Sequence, residues 1–179
     1  MSVQVALLRA VNLGPSKRLP MVDLTRAFVQ LGFADARTVL QTGNVVFRSP
    51  RVHGLALERH LEAGLRTQLS LETDVHVRSA EEWRALVAVN PFPREAVDDP
   101  SHLLVVLLHD APPPSTLALL RGRIAGRERV ELSGRTAYVV YPDGIGESKV
   151  TMRLIESALG TRATGRNWNT AMKLAALCQ

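Results

Sequence analysis

The sequence predicts an α+β protein made of two tandem ferredoxin-like subdomains, each with the order βαββαβ and an antiparallel sheet. Two continuous apolar runs, residues 3–8 and 103–108, have the length of buried strands, and one stands near the start of each half. A similar succession of helical and alternating patterns follows both runs. A proline-rich segment, residues 90–100, separates the halves. We therefore expect one subdomain over residues 1–99 and a second over residues 100–179, each with an extra helix after its last strand.

The first half begins with the apolar strand and a loop. Pro20 then suits the first turn of a helix, and Gly32 is a typical helix end. Between them, apolar residues recur at helical spacing: Met21, Leu24, Phe28 and Leu31. Two short strands follow and flank the turn at residues 41–44, where Gly43 and Asn44 are typical of a hairpin.

A second helix is predicted after Ser49-Pro50, with leucines on one face: Leu57, Leu61 and Leu65. Residues 74–78 alternate polar and apolar side chains, which predicts a half-exposed strand. Ser79 and Glu82 form a capping-box pattern and predict a helix directly after that strand. The resulting order is the ferredoxin-like one, in which both helices cover one face of a four-stranded sheet.

The second half repeats this order after its apolar strand. The predicted elements are a helix after Ser115, strands at residues 129–132 and 136–141, a helix that ends at Gly160, a strand at residues 162–164 and a closing helix at residues 167–177. The two halves share an order of elements and no visible sequence similarity. We interpret them as an internal duplication of one fold.

Composition favours a folded chain without disulfides or metal clusters. The single cysteine, Cys178, has no partner within the chain, and the five histidines show no metal-ligand spacing. No apolar run is long enough to cross a bilayer, and no signal-peptide pattern precedes the first strand. We therefore expect a cytoplasmic protein without a cofactor, a metal or a membrane partner.

The net charge of +5 and the pI of about 10.1 would suit a nucleic-acid partner. Only 3 of the 22 basic residues are lysines, which leaves 22 − 3 = 19 arginines. A GC-rich genome gives that bias to any protein. No interleaved aromatic and basic residues indicate a base-stacking surface. Nucleic-acid binding through a basic surface therefore stands as an alternative.

A glycine-rich turn, residues 143–149, precedes a predicted helix in the second half. Exposed N–H groups at a helix start attract anions, and Lys149 adds positive charge. The spacing differs from that of a P-loop, whose lysine directly follows the second glycine. Gly144, Gly146 and Ser148 also have a structural explanation, namely a strand-to-helix turn in which Ser148 lies near the N-cap.

A second polar motif, Arg166-Asn167-Trp168-Asn169-Thr170, precedes the closing helix. Either asparagine could cap that helix, which explains one of them. The remaining polar groups exceed what a cap requires. A buried network that ties the helix to the sheet would use them, and so would a ligand pocket.

No catalytic motif is present. Val150 occupies the position of the second glycine in a GxSxG nucleophile elbow, and no paired carboxylates suggest acid–base chemistry. The first loop offers Arg9 and Asn12 at the carboxyl end of a central strand, where binding groups are common.

The sequence resembles the bacterial family known as domain of unknown function 1697. Five separated segments carry the resemblance, in the order that the family shows: ALLRAVNLGPSKRLPM, ADARTVLQTGNVVF, VRSAEEW with NPFP, YPDGIGESK and TGRNWNTAMKL. They extend from the first strand to the last helix. The resemblance implies two linked ferredoxin-like subdomains and no established activity, cofactor or substrate.

The residues that match the family's motifs are Arg9, Asn12, Gly14, Pro20, Met21, Gln41, Gly43, Asn44, Gly144, Gly146, Ser148, Lys149, Arg166, Asn167, Trp168, Thr170 and Lys173. Pro15 and Ser16 depart from the glycine-rich form of the first loop. Gly165 departs from the threonine or alanine that the family pattern leads us to expect.

The leading hypothesis is that the protein binds a small anionic or phosphorylated ligand, or an acidic partner, in a cleft between the subdomains. Polar and basic residues at strand ends and helix starts would line this cleft: Arg9, Asn12, Lys149, Arg166, Asn167, Asn169 and Lys173. Three alternatives stay open: nucleic-acid binding, an enzyme with a weakly marked site, and a non-catalytic structural or interaction protein. The sequence names no ligand, reaction or oligomeric state.

Overall fold

The structure, a computed structural model, describes residues 1–12, 18–50 and 54–179. The first-loop residues Gly14, Pro15, Ser16 and Lys17 therefore lie outside the described residues. The chain divides into two compact units, residues 1–84 with 174–179, and residues 85–173. The predicted ranges were residues 1–99 and 100–179. In the structure, residues 85–99 belong to the second unit, and residues 174–179 belong to the first. None of the described helices is long and apolar enough to cross a membrane.

The first unit has the predicted βαββαβ order. Its elements are β1 (Ser2–Leu8), α1 (Met21–Gln30), β2 (Arg37–Val39), β3 (Asn44–Ser49), α2 (Gly54–Leu69) and β4 (Val75–Ser79), followed by α3 (Ala80–Ala88). The strands form one sheet in the order β2-β3-β1-β4, and all neighbours are antiparallel. This is the ferredoxin-like strand order, so the predicted fold class is confirmed for this unit.

One face of this sheet packs against both α1 and α2. Apolar residues alternate along the strands and recur on one side of each helix, so they meet in a single core. The core contains Ala6, Leu8, Leu24, Phe28, Val45, Phe47, Leu57, Leu61, Leu65, Val75 and Val77. The opposite face is buried as well, since His76 and Arg78 are 0% and 3% exposed. The prediction of a half-exposed strand at residues 74–78 was therefore wrong, because the polar side chains of β4 are also covered.

The edge strand β4 receives hydrogen-bond acceptors from α2. Glu58 Oε1 accepts from the Val77 N–H at 2.8 Å, and Glu62 Oε1 accepts from the Val75 N–H at 3.0 Å. The two glutamates are one helical turn apart, which lets them reach alternate N–H groups of one strand edge. Glu58 is buried and also lies 3.8 Å from the Arg78 guanidinium. Occupied edge donors protect a strand from pairing with another chain.

The proline-rich segment between the halves is helical rather than irregular. It contains α4 (Pro93–Asp98) and a 3₁₀-helix (Pro100–His102). A proline in the first turn of a helix loses no hydrogen bond, because that N–H has no partner within the helix. The prolines that indicate a linker here begin short helices instead.

The second unit repeats the topology of the first. Its elements are β5 (Leu103–Leu108), α5 (Ser115–Gly122), β6 (Arg129–Ser133), β7 (Thr136–Val140), α6 (Met152–Leu159) and β8 (Ala163–Asn167), followed by α7 (Trp168–Ala176). The antiparallel sheet order is β6-β7-β5-β8. Its core contains Leu104, Val106, Leu108, Leu120, Ala137, Val139, Ile155 and Leu159. Glu156 of α6 accepts from the Ala163 N–H of the edge strand at 2.9 Å, in the manner of Glu62 in the first unit.

Candidate functional site

Asn12 joins the two ends of the loop that follows β1. Its side-chain amide donates to Leu19 O at 3.1 Å and to Gln41 O at 2.8 Å, and its Oδ1 accepts from the Leu19 N–H at 2.7 Å. Its φ of 59° lies in the left-handed region, which asparagine tolerates better than most residues. These bonds give Asn12 a structural role. Its part in ligand binding stays a prediction.

Arg9 directly follows β1 and is partly exposed. Its Nη1 lies 3.4 Å from Asp74 Oδ2, and its backbone N–H donates to Asp74 O at 2.9 Å. The Thr73 hydroxyl donates to Arg9 O at 2.8 Å. The charge of Arg9 is therefore offset locally by the carboxylate of Asp74.

Gly43 and Asn44 form the end of the hairpin between β2 and β3. Gly43 has a φ of +75°, and a Cβ there would lie 3.0 Å from Leu8 Cβ and 3.3 Å from Val11 Cβ. Asn44 is fully buried and donates to Val39 O at 2.8 Å. The local backbone and its close neighbours therefore explain both residues.

Arg166 lies near the end of β8 in the second unit. It pairs with Val105 on the face of the sheet that points away from the core of α5 and α6. Its Nη1 donates to Thr164 Oγ1 at 3.0 Å and to Gly165 O at 2.8 Å. Burial lowers the pKa of Arg166 to about 10, so the side chain remains charged at neutral pH.

The rest of the motif belongs to α7 and its cap. Asn167 Oδ1 accepts from the Thr170 N–H at 3.0 Å, which caps the helix. Trp168 and Thr170 are buried, whereas Asn169 and Lys173 are exposed. One asparagine of the motif is thus explained by helix capping.

Arg166 and Asn167 have counterparts in the first unit that sequence reasoning missed. Arg78 and Ser79 end β4 at the same positions of the pairing register. Each arginine donates from Nη1 to the carbonyl of the residue before it at 2.8 Å. Ser79 accepts from the Glu82 N–H at 3.1 Å and donates its own N–H to Glu82 Oε2 at 2.8 Å, which confirms the predicted capping box. An arginine followed by a capping residue is therefore part of the duplicated architecture.

A cavity of about 300 Å³ lies in the second unit beside the loop that joins β7 to α6. Two chain segments line it, and their residues include Gly126, Glu128, Asp143, Gly144, Ser148 and Lys149. The cap of α6 is Thr151, whose Oγ1 accepts from the Leu154 N–H at 3.2 Å. Ser148, which was predicted to lie near the N-cap, stands three residues before it, and the glycine-rich turn is part of the loop that leads from β7 to α6.

Hydrogen bonds hold both ends of this loop. Gly144 has a φ of +90°, and its N–H donates to Tyr141 O at 3.0 Å. The Tyr141 hydroxyl donates to Val150 O at 2.9 Å, and Ser148 Oγ accepts from the Val150 N–H at 3.0 Å. Burial, together with the negative charge of Glu128, raises the pKa of Tyr141. The tyrosine therefore stays neutral and serves as a donor.

The cavity wall carries charges of both signs. The Ser148 hydroxyl donates to Glu128 Oε1, while Glu128 Oε2 is buried and has no hydrogen-bond partner among the described residues. Arg127 forms two hydrogen bonds to Asp143, which lower the pKa of that carboxyl group. Lys149 is exposed, and no carboxylate in the described part of the chain pairs with its ammonium. The wall thus presents the ammonium group of Lys149 and three carboxylates, those of Glu128, Asp143 and Glu147.

Of the seven predicted site residues, Lys149 lines this cavity. Arg166, Asn167, Asn169 and Lys173 belong to β8 and α7 and are not part of its wall, and Arg9 and Asn12 belong to the first unit. Sequence reasoning missed Gly126 and Glu128, since no motif or spacing connects them to Lys149. Within residues 1–12, 18–50 and 54–179, no cluster of three or more His, Cys, Asp or Glu could hold a metal ion.

Comparison with known proteins agrees with the resemblance found in the sequence. The family described as protein of unknown function (DUF1697) matches residues 1–138. No curated protein matches the chain. Among solved structures, the conserved bacterial protein SP0830 from Streptococcus pneumoniae is similar, with 16% sequence identity, a TM-score of 0.77 and coverage of 99% of this chain and 98% of that one. That identity shows a shared fold alone. Because the family match covers most of its length, the chain belongs to the DUF1697 family of proteins of unknown function.

Proposed function

We propose that this protein binds a small ligand with an anionic or phosphorylated group in the cavity of the second unit, where the Lys149 ammonium contacts that group. The observation that carries the proposal is the cavity itself, which has about 300 Å³ and lies against a loop held at both ends by hydrogen bonds. A volume of this order is at the lower end of the range for small-molecule sites. The ligand is therefore a small metabolite rather than a polymer.

Lys149 is the group of the wall that attracts an anion, and the carboxylates of Glu128 and Glu147 share the wall with it. Arg127 already pairs with Asp143, so that carboxylate repels an incoming anion only weakly. Gly126 and Gly144 line the cavity without a side chain of their own, so a ligand can approach the backbone of these residues closely. Lys149 is exposed and has no carboxylate partner in the described residues, so its ammonium group is available to contact a ligand.

Thermal unfolding with a panel of nucleotides, sugar phosphates and polyphosphate tests the proposal. A ligand that binds only the folded state raises the unfolding midpoint by mass action. We expect Lys149→Gln to lose the shift produced by one small anion. Lys173→Gln is the matched control, because it removes the same charge from an exposed lysine outside the cavity wall. Equal shifts in both variants, or no shift in the wild type, would refute the proposal.

Short oligonucleotides at two salt concentrations belong in the same panel, since the net charge of +5 favours a polyanionic partner. Nucleic-acid binding by a basic surface weakens steeply with salt. A shift that only oligonucleotides produce, and that disappears at the higher salt concentration, would replace the small-ligand proposal with the nucleic-acid alternative.

A further inference from the structure

Glu128 is another charged group of the same cavity, and one of its oxygens lacks a donor. Its Oε1 accepts from the Ser148 hydroxyl. Its Oε2 is buried and has no hydrogen-bond partner within the part of the chain that the structure describes. Burying an acceptor without a donor costs free energy. Such an atom in the wall of a ligand-sized cavity marks a position for a donor on the ligand.

Gly126 lies directly against this oxygen. A Cβ at position 126 would collide with Glu128 Oε2. The φ of Gly126 lies outside the left-handed region, so the backbone there does not itself require glycine. The absence of a side chain at position 126 therefore lets the Glu128 carboxylate take its present position against the backbone.

Two donors of the surrounding segments are already used. The Tyr141 hydroxyl donates to Val150 O, and Arg127 donates to Asp143. The negative charge of Glu128 acts on its surroundings, since it contributes with burial to the raised pKa of Tyr141. An ionised carboxylate oxygen of this kind is best satisfied by a cationic donor, because hydrogen bonds between charged groups are the strong ones.

We infer that the ligand of this cavity is a small amine-bearing anion, whose protonated amine donates to Glu128 Oε2 while its anionic group contacts Lys149. The inference rests on the proposed function, since both groups belong to one ligand. It narrows the ligand class from small anions in general to those that also carry an ammonium group.

Calorimetric titration with matched probes tests this class. Phosphoethanolamine and ethyl phosphate differ by one amine, and β-alanine and propionate differ in the same way with a carboxylate as the anion. We expect the wild type to bind the amine-bearing member of one pair roughly tenfold more tightly, as one charge-assisted hydrogen bond allows. Glu128→Gln should abolish this preference and retain the affinity for the amine-free probe. Lys149→Gln should weaken both probes of the pair.

The two ideas fail in different ways. Equal wild-type affinity for both members of a pair would refute the amine and leave the anion site intact, whereas no affinity for any of the four probes would refute both. Gly126→Ala provides a second variant, because its methyl group presses against Oε2. It should reduce the amine preference, while Gly122→Ala, which has open space around its Cβ position, should not. A preference that persists in Glu128→Gln and in Gly126→Ala would overturn the inference.

Discussion

Replacing Glu58 with glutamine should destabilise the protein by about 2–4 kcal/mol. Removing one partner of a buried ion pair costs about 3–5 kcal/mol, because the remaining charge is buried without compensation. The pair here is long, with 3.8 Å between Arg78 Nη1 and Glu58 Oε1, which favours the lower part of that range. Glutamine keeps an oxygen for the Val77 N–H, so the edge hydrogen bond persists as a weaker neutral one.

Urea unfolding measures this change. With a slope of about 2 kcal/mol per molar urea, the expected loss lowers the unfolding midpoint by roughly 1–2 M. Glu62→Gln is the matched control, because Glu62 also accepts from a β4 N–H but is only partly buried. Its cost should stay below about 1 kcal/mol.

A double-mutant cycle separates the ion pair from the hydrogen bond. Arg78→Met combined with Glu58→Gln removes both charges, so the double variant should be more stable than Glu58→Gln alone. The reasoning is refuted if Glu58→Gln costs no more stability than Glu62→Gln. It is refuted as well if Arg78→Met destabilises the Glu58→Gln variant by as much as it destabilises the wild type. Either result would mean that the buried pair does not stabilise this sheet edge.

Three further predictions concern tyrosine ionisation, a loop bond and a glycine turn. Burial raises the pKa of Tyr138 to about 12 and also raises that of Tyr141. The contribution of the two buried neutral hydroxyls to stability is therefore fully present below the unfolded pKa of about 10, and it falls as the pH rises towards the folded pKa values. Near pH 11 the native protein should therefore show only a small fraction of the phenolate absorbance of the urea-unfolded chain; native titration near 10 would contradict the burial argument. Asn12→Ala removes three hydrogen bonds and should cost about 1–3 kcal/mol in urea unfolding, with Asn12→Asp intermediate because it retains the acceptor. Gly43→Ala should cost about 2–4 kcal/mol, because both the left-handed backbone and the close neighbours oppose a side chain. Gly32→Ala is the control, since its φ of +96° carries strain of about 1 kcal/mol but its Cβ position has open space. Equal costs for the two variants would show that the close neighbours of Gly43 do not contribute.

Local patterns were sufficient to predict the order of elements. Helical spacing, period-two alternation and turn residues such as Gly43 act over a few neighbouring residues, so each is readable without the fold. The capping box of Ser79 and Glu82 is an example, since its two bonds join residues three positions apart. The helices within the proline-rich segment were missed because proline indicates a helix start as well as a break.

Burial of polar side chains was not predictable in this way. The alternation in β4 correctly places Val75 and Val77 on one face, yet His76 and Arg78 on the other face are buried too. Period-two alternation separates the two faces of a strand but does not record what covers each of them. The sequence-based view of β4 as half-exposed failed for this reason.

The sequence by itself determined the order of elements in both units and the caps of several helices, because those features depend on contacts close along the chain; the ferredoxin-like fold class was predicted from that order. Only the tertiary structure decided the composition of the candidate cavity. Glu128 and Ser148 are 20 positions apart, and they meet because the β6–β7 hairpin returns the chain to the entrance of α6. No local pattern encodes that meeting, since side chains distant in sequence become neighbours only when the sheet and its helices pack.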